Sequence, residues 1–204
     1  MSKAKMTSAE KDAYDIMKKY IDKPSKLKQS NFAPGNMVMF AYNAKDKYSA
    51  YDANPIILVL RRSKKYILGL NWHWMPPKLR EKVMDGIMKQ NKKNIKKGLP
   101  ITVNYQMIKR LIRGLGPVVR LYINKRISPK GVVVPSYQYY KVIHLRSEHF
   151  IGISSKAAWA AAVANAKAKK KAKKAAAIQR KKDQATAQKR LDKRSKKWVL
   201  KTKI

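Results

Sequence analysis

The segment Asn71-Trp72-His73-Trp74-Met75-Pro76-Pro77 sets one imidazole between two indoles and offers the clearest opening for chemistry. A histidine there could shuttle a proton or hold a metal ion. No second histidine lies within ligand spacing, and His144 and His149 form no H-E-x-x-H pattern. The segment therefore reads as a packed aromatic corner joining a strand to a helix. Metal-assisted phosphodiester cleavage would need two or three convergent carboxylates. Asp46, Asp52, Glu81, Asp85 and Glu148 are available, and Glu81 with Asp85 would share a helix face. Arg80, Lys82 and Lys89 beside them make i,i+4 charge pairing the simpler account. The absence of cysteine removes disulfides, thiolate metal sites and thiol nucleophiles. There is no P-loop, Rossmann glycine pattern or G-x-S-x-G elbow. A protein that is not an enzyme and carries no cofactor is expected.

Cationic charge is what the sequence holds in excess. Of 204 residues, 49 are Lys or Arg and 11 are Asp or Glu, a net charge of +38. Self-repulsion on that scale calls for a polyanionic partner. In the body the candidate phosphate contacts are Arg61, Arg62, Lys64 and Lys65 at a hairpin tip, Lys92, Lys93, Lys96 and Lys97 after a helix, and Lys109, Arg110 and Arg113 on another. In the C-terminal part they are Lys167, Lys169, Lys170, Lys171, Lys173, Lys174, Arg180, Lys181 and Lys182. On a helix these lysines spread all round, giving a cationic rod rather than an amphipathic membrane helix. With no long apolar run and no apolar stretch at the N-terminus, an intracellular origin and no membrane partner are expected. Tyr137, Tyr139 and Tyr140 lie close to Lys141 and could stack on bases, but tyrosines so placed more often belong to a core or sheet face.

These residues must be positioned by a small set of elements. Thr7 and Glu10 have capping-box spacing ahead of a helix over 7–22 that Pro24 stops. Strands are predicted at Met37–Tyr42, Ile56–Arg61 and Tyr66–Asn71, the last two forming a hairpin. Pro76-Pro77 opens a helix carrying Leu79, Val83, Ile87 and Met88, and a shorter one follows Thr102 or Asn104 and closes at Gly114. The stretch Pro117–Ile127 could be helix or strand. Val132–Leu145 has β character, with Pro135 pointing to an edge or bulge. From Ser155 the composition turns to Ala, Lys, Gln and Arg, a helix or a disordered basic tail, with Ser154 or Ser155 as cap and Trp159 and Trp198 as anchors. The fold class expected is α+β: a small antiparallel β-sheet or barrel with flanking helices and a long basic C-terminal helix or tail. The organisation is 1–33 for the N-terminal helix and linker, 34–155 for the basic body and 156–204 for the tail.

Pro34-Gly35, Phe40, Tyr42, Tyr51-Asp52, Pro55 and the run Leu68-Gly69-Leu70-Asn71-Trp72-His73-Trp74-Met75-Pro76 with Leu79-Arg80 resemble a family of tailed-phage DNA end-protector proteins. The resemblance covers about residues 34–150, with Ala50 replacing the first of a tyrosine pair and the basic tail lying outside the pattern. It implies a virion protein that travels with packaged double-stranded DNA, in the virion interior or at the portal or neck, and shields its ends. The host cytoplasm would hold it during assembly, and other virion proteins would be possible partners. The residues alone also fit a ribosomal-type RNA-binding protein, or a structural capsid, portal or neck component touching packaged DNA. The charge pattern carries no base-reading signal, so binding without sequence preference is expected.

Overall fold

In the computed structural model, residues 7–45, 50–112 and 118–201 are described, the side chains at 19, 20 and 189–201 excepted. Helix α1 (Ser8–Ile21) begins at a capping box: Thr7 accepts from Glu10 N, and Glu10 accepts from Thr7 N. Strands β1 (Ser25–Lys26), β2 (Met37–Tyr42), β4 (Ile56–Arg62), β5 (Tyr66–Asn71), β6 (Val119–Ile123) and β7 (Ile127–Val134) form one antiparallel sheet in the order β1-β7-β2-β4-β5-β6. Two short strands, β3 (Tyr51–Asp52) and β8 (Phe150–Ile151), pair separately. The helices are α2 (Pro77–Gln90), α3 (Lys92–Lys96), α4 (Tyr105–Leu111), α5 (Tyr139–Val142) and α6 (Ser155–Lys201).

The apolar run Ile56–Leu60 is buried throughout because β4 is covered on both faces. Ile56, Leu58 and Leu60 join Met37, Leu70, Trp72 and Val134 against the helices, while Ile57 and Val59 join Val38, Phe40, Ile67, Tyr122 and Phe32 on the other side. The sheet does not close into a barrel, but it curls strongly. Ile123 at the end of β6 donates its N–H to the hydroxyl of Tyr42 at the end of β2, and the Tyr42 and Tyr122 rings meet edge to face at 5.0 Å. The second core is the inside of that curl.

Several expectations are met, and others are refined. The first three predicted strands appear, with β4 one residue longer, and the undecided 117–127 stretch contains β6. Val132–Leu145 is β only as far as Val134. Pro135 cannot donate to a ladder and ends β7, and a 3-10 turn and α5 follow. That turn buries Tyr139, whose hydroxyl donates to Gly35 O and accepts from Met37 N. Asn104 is the cap of α4, and the predicted stop at Gly114 lies outside the described residues. Ser154 caps α6, accepting from Ala157 N, and the described tail is one helix of 47 residues, about 70 Å long. Its first turns are part of the body, since Ala158 and Ala162 are fully buried.

Gly35 sets the entry to β2. Its φ is +94°, and a Cβ there would lie 1.9 Å from the carbonyl oxygen of Ile101. Gly98 also has a positive φ, +65°, but its surroundings are open. Gly35→Ala should therefore lower unfolding free energy by at least about 2 kcal/mol, against about 1 kcal/mol for Gly98→Ala. Urea denaturation of the two variants measures the difference.

Candidate nucleic-acid interface and its buried polar centre

The aromatic corner is a single 3-10 turn, Trp72–Trp74, entered from β5 and left through Pro76 at the head of α2. All three of its side chains are buried, as expected of a packed corner, but the histidine is not alone. His73 Nδ1 lies 2.7 Å from Asp52 Oδ2, with Asp52 supplied by β3. Asn71 completes the centre. Its Nδ2 donates to Asp52 Oδ2 and to the Tyr122 hydroxyl, both at 3.0 Å, and its Oδ1 accepts from His73 N at 2.9 Å. Each polar atom of the Asn71 amide is thereby satisfied, as a fully buried amide requires.

Burial alone would raise the Asp52 carboxyl. The hydrogen bond and charge of His73 outweigh it, together with donors from Asn71 Nδ2 and Asn54 N, and hold the carboxyl below its ordinary range. An ionised carboxylate only accepts, so the proton shared with Asp52 sits on His73 Nδ1. Burial pushes the Tyr122 phenol far up, and the Asp52 charge adds to that, so it stays a neutral hydroxyl. On the far side of the ring, His73 Nε2 is 3.3 Å from Ser147 Oγ, and Trp159 of α6 donates its indole N–H to His73 O at 2.8 Å. Arg120 lies over the Trp74 ring at 3.9 Å.

A second tie runs alongside. Arg80 of α2 is fully buried, donating to the carbonyls of Met75, Ile143 and Leu145 and pairing with Glu148. The carboxylates of α2 do not make the i,i+4 pairs expected from spacing: Glu81 faces His144 at 3.7 Å and Asp85 accepts from the Tyr140 hydroxyl. The reason is the neighbouring 140–144 segment, which supplies closer partners than the helix's own lysines. Among the described residues no three His, Asp or Glu side chains gather as a metal-binding group, and Asp46 lies outside those residues.

The predicted cations stand on the surface. Arg61, Arg62, Lys64 and Lys65 are exposed at the β4–β5 hairpin tip. That tip is held to the Asn124–Arg126 turn: Asn124 N donates to Lys65 O at 3.0 Å, and its Nδ2 donates to Ser63 O and Lys64 O. The same turn carries Lys125 and Arg126, exposed cations lining a cleft with Tyr42, Asn54 and His149, which the sequence reading missed because it left this stretch undecided. Arg62 donates to Gln29 O, drawing in the segment that carries Lys28. Lys26 and Lys130 are register partners across β1 and β7, like charges directly opposed. The ion pairs of the described residues are His73–Asp52, Arg80–Glu148, His144–Glu81 and Arg146–Glu10, so none neutralises this end of the sheet.

Lys92, Lys93, Lys96 and Lys97 are exposed on and just after α3, and Lys109 and Arg110 on α4. Asn91, which accepts from Thr102 N at 2.8 Å, fixes the connection between these two helices. Arg113 lies outside the described residues. The tail cations Lys167, Lys169, Lys170, Lys171, Lys173, Lys174, Arg180, Lys181 and Lys182 are all exposed on α6. Of the tyrosine group, Tyr139 is core, Tyr140 bonds Asp85, and Tyr137 is 79% exposed. No described helix is long and apolar enough to cross a membrane.

Fold and surface together define a strongly basic α+β protein with one buried polar centre and cations left unneutralised at the hairpin end of its sheet. The chain belongs to the phage T4 terminal DNA protecting protein family, whose sequence model matches residues 2–167. No curated protein and no solved structure matches it.

Because the folded Asp52 carboxyl titrates below the ordinary Asp value of 3.8, its stabilisation is complete above that value and is lost as pH falls through the lower folded one. Asp52→Asn should cost about 3 kcal/mol at pH 7 and flatten the fall of stability below about pH 4. Denaturant titrations across pH 2–7 measure both, roughly spanning the Asp range.

Proposed function

We propose that this protein binds double-stranded DNA without regard to sequence and shields its ends, as a phage virion component held with the packaged genome in the capsid interior or at the portal or neck. The observation that carries the reading is the hairpin end of the sheet. There Arg61, Arg62, Lys64 and Lys65 stand at the tip, with Lys125 and Arg126 on the turn bonded to it, and none has a carboxylate partner among the described residues. Phosphates are the counterions such a surface calls for. Membership of a family named for terminal DNA protection supplies the kind of polyanion.

The two basic parts have different duties. The exposed lysines of α6 form a rod that adds affinity for any duplex, and a uniform polycation cannot tell an end from an interior. Discrimination belongs to the body, whose cations are fixed by backbone hydrogen bonds. Sequence neutrality follows because both surfaces offer charge rather than an ordered set of base-reading amides.

We further propose that the protein is not an enzyme. Asp52, His73 and Ser147 have the connectivity of a nucleophilic triad. Yet His73 is fully buried, its carbonyl is occupied by Trp159, and its imidazole is held between Asp52 and Ser147. A substrate would have to dismantle the corner to reach it.

Removing residues 167–204 tests the division of duties while sparing the packed start of α6. Affinity for every duplex should fall and its salt dependence should become shallower, while preference for linear over covalently closed DNA of equal length persists. Loss of that preference on truncation would assign end discrimination to the rod, and equal binding of both topologies by the full chain would remove end shielding. As a separate expectation, a fluorophosphonate probe should leave Ser147 unlabelled. Stoichiometric labelling abolished by His73→Gln would establish a catalytic serine instead.

A further inference from the structure

The curl of the sheet leaves a mouth beside the hairpin tip, a cleft of about 300 Å³. Its floor is apolar, made by Leu27, Phe32, Ile67 and Ile127, and its rim carries Lys28, Arg62 and Lys64. Arg62 is fixed across the mouth to Gln29 O. On the wall, the Nδ2 of Asn124 is taken up by two carbonyls while its buried Oδ1 has no partner.

We propose that this cleft holds a single unpaired nucleotide at a DNA terminus, the sugar and base against the apolar floor and the flanking phosphates on the rim. The inference rests on the DNA reading above and adds what the body would recognise. Its size lies at the lower limit of small-molecule sites, which suits one nucleotide and excludes a base pair. Its chemistry is that of a nucleotide: a flat apolar group to bury, with negative charge immediately beside it. A duplex interior offers phosphates and base edges but no base face, because its bases are stacked, whereas a terminus can offer a free base.

The test uses the full chain and three probes of one sequence: a blunt linear duplex, the same duplex with one unpaired nucleotide at each end, and the covalently closed circle. The tailed duplex should bind tighter than the blunt one, on the order of tenfold, the scale of burying one base. Ser128→Trp, at a half-buried position near the start of β7 that lines the cleft, should fill it and erase that difference while leaving affinity for the circle unchanged. A photoreactive 4-thiothymidine as the unpaired nucleotide should crosslink to peptides containing residues 27–32 or 124–129. Equal affinity for blunt and tailed duplexes, or a difference that survives Ser128→Trp, would overturn the inference and leave DNA binding intact. Failure to bind any of the three probes would remove the DNA reading and this inference with it.

Discussion

One buried hydrogen-bonded pair, Asp52 with His73, organises the molecule. Asp52 comes from a two-residue strand outside the main sheet, and His73 from the corner between β5 and α2. Their 2.7 Å contact fixes one to the other, Asn71 extends it to Tyr122 in β6, and Trp159 attaches α6 to the backbone of the same corner. Sheet, helical layer and cationic rod thus meet at a single polar centre. A buried carboxylate is costly unless fully paired, and here its donors come from the β5 corner, through Asn71 and His73, and from its own turn, through Asn54. The arrangement makes the centre intolerant of partial change.

The surface is organised on the opposite principle. Inside, the buried charges are paired: Arg80 with Glu148, Asp52 with His73. Outside, the cations at the hairpin tip make no ion pair among the described residues, and Lys26 and Lys130 even face each other across a ladder. With a net charge of +38, that repulsion opposes folding at all times. The two-faced burial of β4 and the ties at Arg80 give the body the cohesion to hold such a surface in a fixed shape. On the proposed reading, shape is what separates the body from the rod, since the same charges on a freely standing helix would give affinity without discrimination.

Local signals were legible in the sequence wherever one segment decided its own structure. The Thr7–Glu10 capping box, the strand at Ile56–Leu60 and the Pro-Pro start of α2 all rest on residues within a few positions of one another. The buried centre was not legible in the same way, because Asp52 and His73 are 21 residues apart and pair only when β3 leaves the main sheet. His73 read as a packed residue, correctly, but its partner was visible only as one of several carboxylates. Lys125 and Arg126 were missed because the strand ahead of them was undecided, although two adjacent cations at a strand end were signal enough to consider. Val132–Leu145 misled because its composition is β-like throughout, while Pro135 and the burial of Tyr139 decide where the strand stops.

The central claim is that the body acts at termini and not along the duplex. The most direct measurement is the amount of protein needed to protect linear duplexes of increasing length from a double-strand exonuclease, at a fixed concentration of ends. End shielding requires that the protein needed for half-protection stay constant as length grows. A requirement that rises in proportion to length would contradict the account and describe a protein that merely coats DNA.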